Sequence, residues 1–134
     1  MGLFDFLKQK SNGGQYVSEI AFNNNRDKQI KMAPQTLEEL RKINVAADME
    51  LKLEYFFYTN SEEKAIQLAT ELKKLNYQVD HHLAADSKKE YVITGWTTKM
   101  KMAESVVVEW AKQMCDLGYK FDCDFDGWGT SPDQ

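Results

Sequence analysis

The chain predicts an α+β sandwich, and three observations carry that expectation. Apolar residues recur at helical spacing in two stretches, near residues 60–75 and 103–117. Elsewhere they alternate with polar residues, the period of a half-buried strand. From residue 51 onward the order is strand, helix, strand, strand, helix, strand. A length of 134 residues suits one core that buries roughly two-thirds of the unfolded surface. With 43% hydrophobic and 28% charged residues, and only two prolines, collagen-like, low-complexity and wholly disordered classes are excluded.

Taken in order, Leu3, Phe4, Phe6 and Leu7 fall on one side of a short N-terminal helix expected to dock on the domain, and Ser11-Asn12-Gly13-Gly14 breaks it. Phe6 stands where a myristoylation signal at Gly2 wants Ser or Thr. Residues 16–22 read as a weak strand and 23–27 as a loop. Thr36 with Glu39 is a capping-box signature, and Leu37, Leu40, Ile43 and Ala47 follow at helical spacing, predicting a helix over 37–48. Residues 1–35 are thus expected to be an extension, and 36–134 the α+β domain.

Leu51, Leu53, Tyr55 and Phe57 alternate with Lys52, Glu54, Phe56 and Tyr58, which predicts a strand. Asn60 and Glu63 then cap a helix carrying Ile66, Ala69, Leu72 and Leu75, with acids in its first turn and lysines in its last. Residues 77–83 and 90–97 read as two strands joined by a loop of hairpin length. Val106, Val107, Trp110, Met114 and Leu117 define the next helix, with Gly118 as its expected stop, and 119–126 alternates as the last strand. Ala69, Leu75, Tyr77 and Asp80 recur 42 residues later as Ala111, Leu117, Tyr119 and Asp122, as two copies of one β-α-β unit would. Right-handed crossovers on such a pair give a ferredoxin-like βαββαβ sandwich, a four-stranded antiparallel sheet with both helices on one face.

In that arrangement Leu53, Tyr55, Phe57, Phe121, Cys123 and Phe125 face the helices. Glu54, Phe56, Tyr58, Asp80, His82, Asp122 and Asp124 then share the opposite face, while the register of Trp96 stays open. A face that mixes rings with carboxylates is expected either to bind a partner protein or to be covered by the first 48 residues or by a second copy in a homodimer. Asp126-Gly127-Trp128-Gly129-Thr130 adds a tight turn that fixes Trp128, as a clasp over the sheet end or as an anchor for a partner. Asp126 and Trp128 therefore join the candidate partner-binding residues.

Other chemistries have weaker support. The net charge of −4 belongs wholly to residues 51–134, and 122–134 carries four Asp with no Lys or Arg, which would repel a phosphate backbone. Strand 90–97 lacks the basic residue and the set of glycines and paired aromatics of an RNA-recognition module, so no direct nucleic-acid contact is expected. Asp122-x-Asp124-x-Asp126-Gly127 with Asp133 resembles a calcium loop, but Asp stands at the terminal ligand and Cys123 and Phe125 fit strand alternation. His81 and His82 are adjacent in a strand and point to opposite faces, so they cannot share a metal. Cys115 and Cys123 form no CxxC pair and read as small core residues of a reducing cytosol. No catalytic motif, resident metal or cofactor is expected, and no stretch is apolar enough for a membrane span. A small-ligand or metal-binding domain using the Asp122 to Asp126 edge is the alternative to a protein-binding one.

The stretch Tyr119-Lys120-Phe121-Asp122-Cys123-Asp124-Phe125-Asp126-Gly127-Trp128-Gly129-Thr130 resembles the C-terminal signature of the regulator of ribonuclease E activity B (RraB) family. The order of elements from about Thr36 to Thr130 is similar too, including the Leu75-Asn76-Tyr77 helix exit. The resemblance implies a ferredoxin-like fold and a non-enzymatic role in the bacterial cytoplasm: binding an endoribonuclease and restraining RNA decay through protein contact. The chain differs from that pattern in its segment before Thr36 and in having no long acidic C-terminal extension. The resemblance brings no contact residues with it.

Overall fold

The structure is a computed structural model that describes residues 14–86 and 89–134. The expected docking helix at Leu3 to Leu7 lies outside the described residues. The first described helix, α1 (Glu19–Lys42), is capped by Ser18, whose hydroxyl accepts the Ala21 N–H at 3.1 Å. Residues expected as strand and loop over 16–27 therefore belong mostly to a helix. Of the helix predicted over 37–48 only 37–42 is helical, as the last part of α1, because the chain leaves the helix at Ile43 and turns at Asn44, φ 71°. Thr36 lies inside this helix rather than capping it, and Pro34 sits within it.

Contacts distant in sequence stabilise this polar helix. Phe22 stacks on Tyr119 with ring centroids 4.2 Å apart, Arg26 pairs with Asp116 at 2.9 Å, and Arg41 donates to the Met102 carbonyl at 2.6 Å. These contacts run α1 antiparallel to α3 (Glu104–Lys120). Local propensity for Asn23-Asn24-Asn25 is poor, and tertiary packing overrides it.

After α1 come β1 (Glu50–Leu51) and β2 (Glu54–Thr59), then α2 (Glu62–Lys74), capped by Ser61 rather than Asn60. Next are β3 (Asp80–Leu83), β4 (Tyr91–Trp96) and β5 (Met100–Lys101), then α3 and β6 (Asp124–Gly129). The main sheet has the order β3-β4-β2-β6 with every neighbouring pair antiparallel, and β1 pairs with β5 separately. The chain is thus mixed α+β.

One core lies between this sheet and its helices. Tyr55, Phe57, Ile93 and Phe125 point from the sheet into Leu68 and Leu72 of α2 and Val107, Ala111 and Met114 of α3, all buried. Each such side chain removed from water stabilises the fold by about 1.5–3 kcal/mol. Helix α1 packs on α3 and flanks the β6 edge, where Asn25 donates to the Phe125 carbonyl at 2.7 Å and gives an edge-strand group a partner.

Helix α3 continues two residues past Gly118. That glycine sits inside the helix because an added Cβ would lie 2.7 Å from the Cys123 carbonyl oxygen and 2.9 Å from the Phe57 ring. Tyr119 is consequently helical rather than the start of a strand. Asp122, at φ 60°, forms the turn into β6, as Asn76 at φ 66° forms the exit from α2. Phe121 likewise ends α3 instead of lying on the sheet.

Both cysteines are free and buried, and burial pushes each thiol up to about 12. At pH 8 they should stay protonated and unreactive toward iodoacetamide in the native protein, and both should be modified in denaturant. Mass spectrometry checks this; rapid native modification of either would show that the core around it opens.

Candidate functional site

The hydrogen-bond register assigns every strand side chain to a face. Tyr55, Phe57 and Ile93 occupy the helix-covered side, so Glu54, Phe56 and Tyr58 of β2 point the other way. Their cross-strand partners share that side: Trp96, Thr94 and Val92 on β4, and through them Asp80 and His82 on β3. Asp124 of β6 lies opposite Tyr58. Phe56, Tyr58 and Trp96 are all half-buried. Among the described helices none lies across this open face, since α2 and α3 fill the other side and α1 flanks an edge.

Three of the sequence-derived candidates lie elsewhere. Between Phe56 and Phe57 the register with β6 shifts, because Asp126 is an extra residue in a β-bulge beside Gly127 at φ 132°. The bulge inverts the alternation downstream. Asp126 sits exposed at the bulge, and Trp128 points to the helix side, opposite Tyr55 and edge-on to Trp110 at 6.2 Å. Trp128 therefore packs against the core as a clasp. Asp122 is also off the open face, being outside the strand altogether.

Asp122 instead organises the end of the sheet. Its two carboxylate oxygens accept the backbone N–H groups of Tyr16 at 2.7 Å and Val17 at 2.8 Å, and Lys64 Nζ lies 2.7 Å away. Lys64 also donates to the Gly14 carbonyl at 2.8 Å. This cluster ties the strap leading into α1 to the start of α2. Asp122→Asn keeps a residue that tolerates positive φ but removes the charge. It should lower the unfolding free energy by about 2 kcal/mol, measured by urea denaturation; an unchanged midpoint would mean the strap contributes nothing to the fold.

The strap brings Tyr16 to one end of the open face, where its hydroxyl donates to Glu90. Burial, then that bond and Glu90's charge, hold the phenol above its ordinary range. Among the described residues the segment before α1 thus reaches the open face at this end. Asp124 accepts from Asn25 at 3.3 Å, and burial, with Asp126's charge adding and Lys28 opposing, raises its carboxyl above the usual range. Asp124 also lines a cleft of about 590 Å³ with Tyr16, Asn25 and Lys28.

His81 turns to the helix side, 3.7 Å from Glu62, and is part-exposed rather than a core residue; His82 lies 3.7 Å from Asp80. Among the described residues no group of three His, Cys, Asp or Glu side chains is placed to hold a metal ion. No described helix is long and apolar enough to cross a membrane.

Tyr91, Val92 and Ile93 form an apolar run that hides the parity of β4 in the sequence, and in the structure Val92 and Ile93 are both buried although they face opposite sides. The pairing of Trp96 with Glu54 makes it the third ring of the open face.

Residues 31–130, about three quarters of the chain, match the family described as "Regulator of ribonuclease activity B". No curated protein matches the chain as a relative.

Proposed function

Because the chain belongs to the family of regulators of ribonuclease activity B, we propose that it works without catalysis, binding an endoribonuclease and restraining RNA decay by contact, with the open sheet face as its contact surface. The family is named for regulation of a ribonuclease, which supports a protein partner over a substrate. The observation that carries the surface is the row Phe56, Tyr58 and Trp96, half-buried on one side of the sheet with Glu54, Asp80 and Asp124 among them. Rings that could be buried in a core, yet sit on the face away from it, are the usual anchors of protein interfaces. The strand order, with β2 and β4 in the centre, supports reading the domain as ferredoxin-like. Such a protein would act in the cytoplasm, where the RNA-decay machinery is.

Tagged protein recovered from its source cell is expected to bring an endoribonuclease with it, and the purified chain alone should leave RNA uncut. Recovery of no ribonuclease, or RNA cleavage by the chain itself, would overturn the proposal. A small-ligand reading draws on the cleft beside Asp124; a melting temperature raised by a metabolite, in a protein without a protein partner, would favour it.

A further inference from the structure

The open face specifies the chemistry of its occupant more narrowly than its family does. Its strand positions include Glu54, Asp80 and Asp124, and none is Lys or Arg. Trp96 lies directly across from Glu54, and Phe56 and Tyr58 line the central strand. At its centre, between Phe56 and Asp80 in the register, Thr94 Oγ1 is buried without a hydrogen-bond partner among the described residues.

Each plausible occupant meets this surface differently. A neutral apolar segment would cover Glu54 and leave its carboxylate unpaired, at a cost of several kcal/mol, whereas Asp80 keeps the His81 N–H and Asp124 keeps Asn25. A phosphate chain would be repelled by them. A cation gains twice, from the negative face of each ring and from the carboxylate beside it. Arginine suits the geometry better than lysine, because a planar guanidinium can stack on the indole of Trp96 while its N–H fork bonds Glu54.

We propose that the open face binds an arginine-rich segment of its protein partner. The proposal rests on the regulatory reading above for there being such a partner, and adds the chemistry by which that partner is held. Recognition is electrostatic at the rim and aromatic at the centre, so it weakens as salt screens the exposed carboxylates.

The test uses the full chain and a labelled synthetic peptide of alternating arginine and glycine, followed by fluorescence anisotropy. Binding is expected at low salt, several-fold weaker with lysine in place of arginine, and absent with glutamate. The double variant Glu54→Gln/Asp80→Asn changes side chains at the rim of the sheet and should weaken binding by about tenfold, the loss of roughly one charge-assisted contact. Trp96→Ala should weaken it comparably, and Glu109→Gln, on exposed α3 surface, should not. Wild-type affinity in the double variant, or tighter binding of poly-uridine RNA than of the arginine peptide, would overturn the proposal. A chain that inhibits the ribonuclease but ignores the peptide overturns this inference and leaves the regulatory reading intact. Peptide binding with no effect on any ribonuclease overturns that reading and keeps the site.

Discussion

Phe57→Ala is expected to lower the unfolding free energy by about 4 kcal/mol, a large share of the 5–15 kcal/mol typical of a domain. The side chain is fully buried at the centre of β2, with the Phe125 ring 5.2 Å away and the Tyr55 ring 5.9 Å away. It also fills the space left by Gly118, which lets α3 approach the sheet. Truncation removes transfer energy and leaves a cavity walled by two packed helices and a sheet, which cannot collapse into it. Urea denaturation followed by tryptophan fluorescence measures the loss; a change below about 1 kcal/mol would mean that the helix layer is not seated on this face.

Gly95→Ala should cost about 3 kcal/mol, although it adds one methyl group. An added Cβ would lie 1.8 Å from the Gln78 carbonyl oxygen, 2.6 Å from its carbon and 2.8 Å from the Tyr55 hydroxyl. The obstacle is backbone, which cannot rotate aside. Gln78 and Trp96 exchange two backbone hydrogen bonds at 2.9 and 3.2 Å, and the Tyr55 hydroxyl donates to the same Gln78 carbonyl at 2.6 Å. Relief of the clash therefore breaks the start of the β3–β4 pairing and tilts Trp96 on the open face. The variant should show a lowered thermal midpoint together with shifted amide resonances for 77–80 and 94–97. A midpoint equal to wild type would mean that Gln78 and Gly95 do not approach as closely as described.

Parts of the fold differ in how plainly the sequence reports them. The alternation in β2 and the helical spacing in α2 and α3 are local patterns, and they survive because each element buries one face against its neighbours. Glu54, Phe56, Tyr58, Asp80, His82 and Asp124 could be assigned to one face for that reason. The N-terminal part of α1 is illegible because Phe22, Asn25 and Arg26 find their partners about a hundred residues away, so no period marks them as helical, whereas Leu37 and Leu40 at its end keep the helical spacing. A single bulged residue displaces Asp126 and Trp128 from the face that alternation predicts, since it inverts the pattern for the rest of the strand. Asp122 looked like a strand residue because Tyr119 and Phe121 mimic its alternation, yet they close α3, and the carboxylate turns back to the strap. The close approach at Gly95 has no signature beyond the glycine itself.

The open face carries the functional account, so the most direct measurement separates it from stability. RNA cleavage by the purified endoribonuclease should be timed in the presence of the wild-type chain and of a Phe56→Ser/Trp96→Ser variant shown by urea denaturation to remain folded. The account predicts that the wild type slows cleavage in proportion to its concentration and that the folded variant does not. A folded variant that slows cleavage as well as the wild type would contradict it.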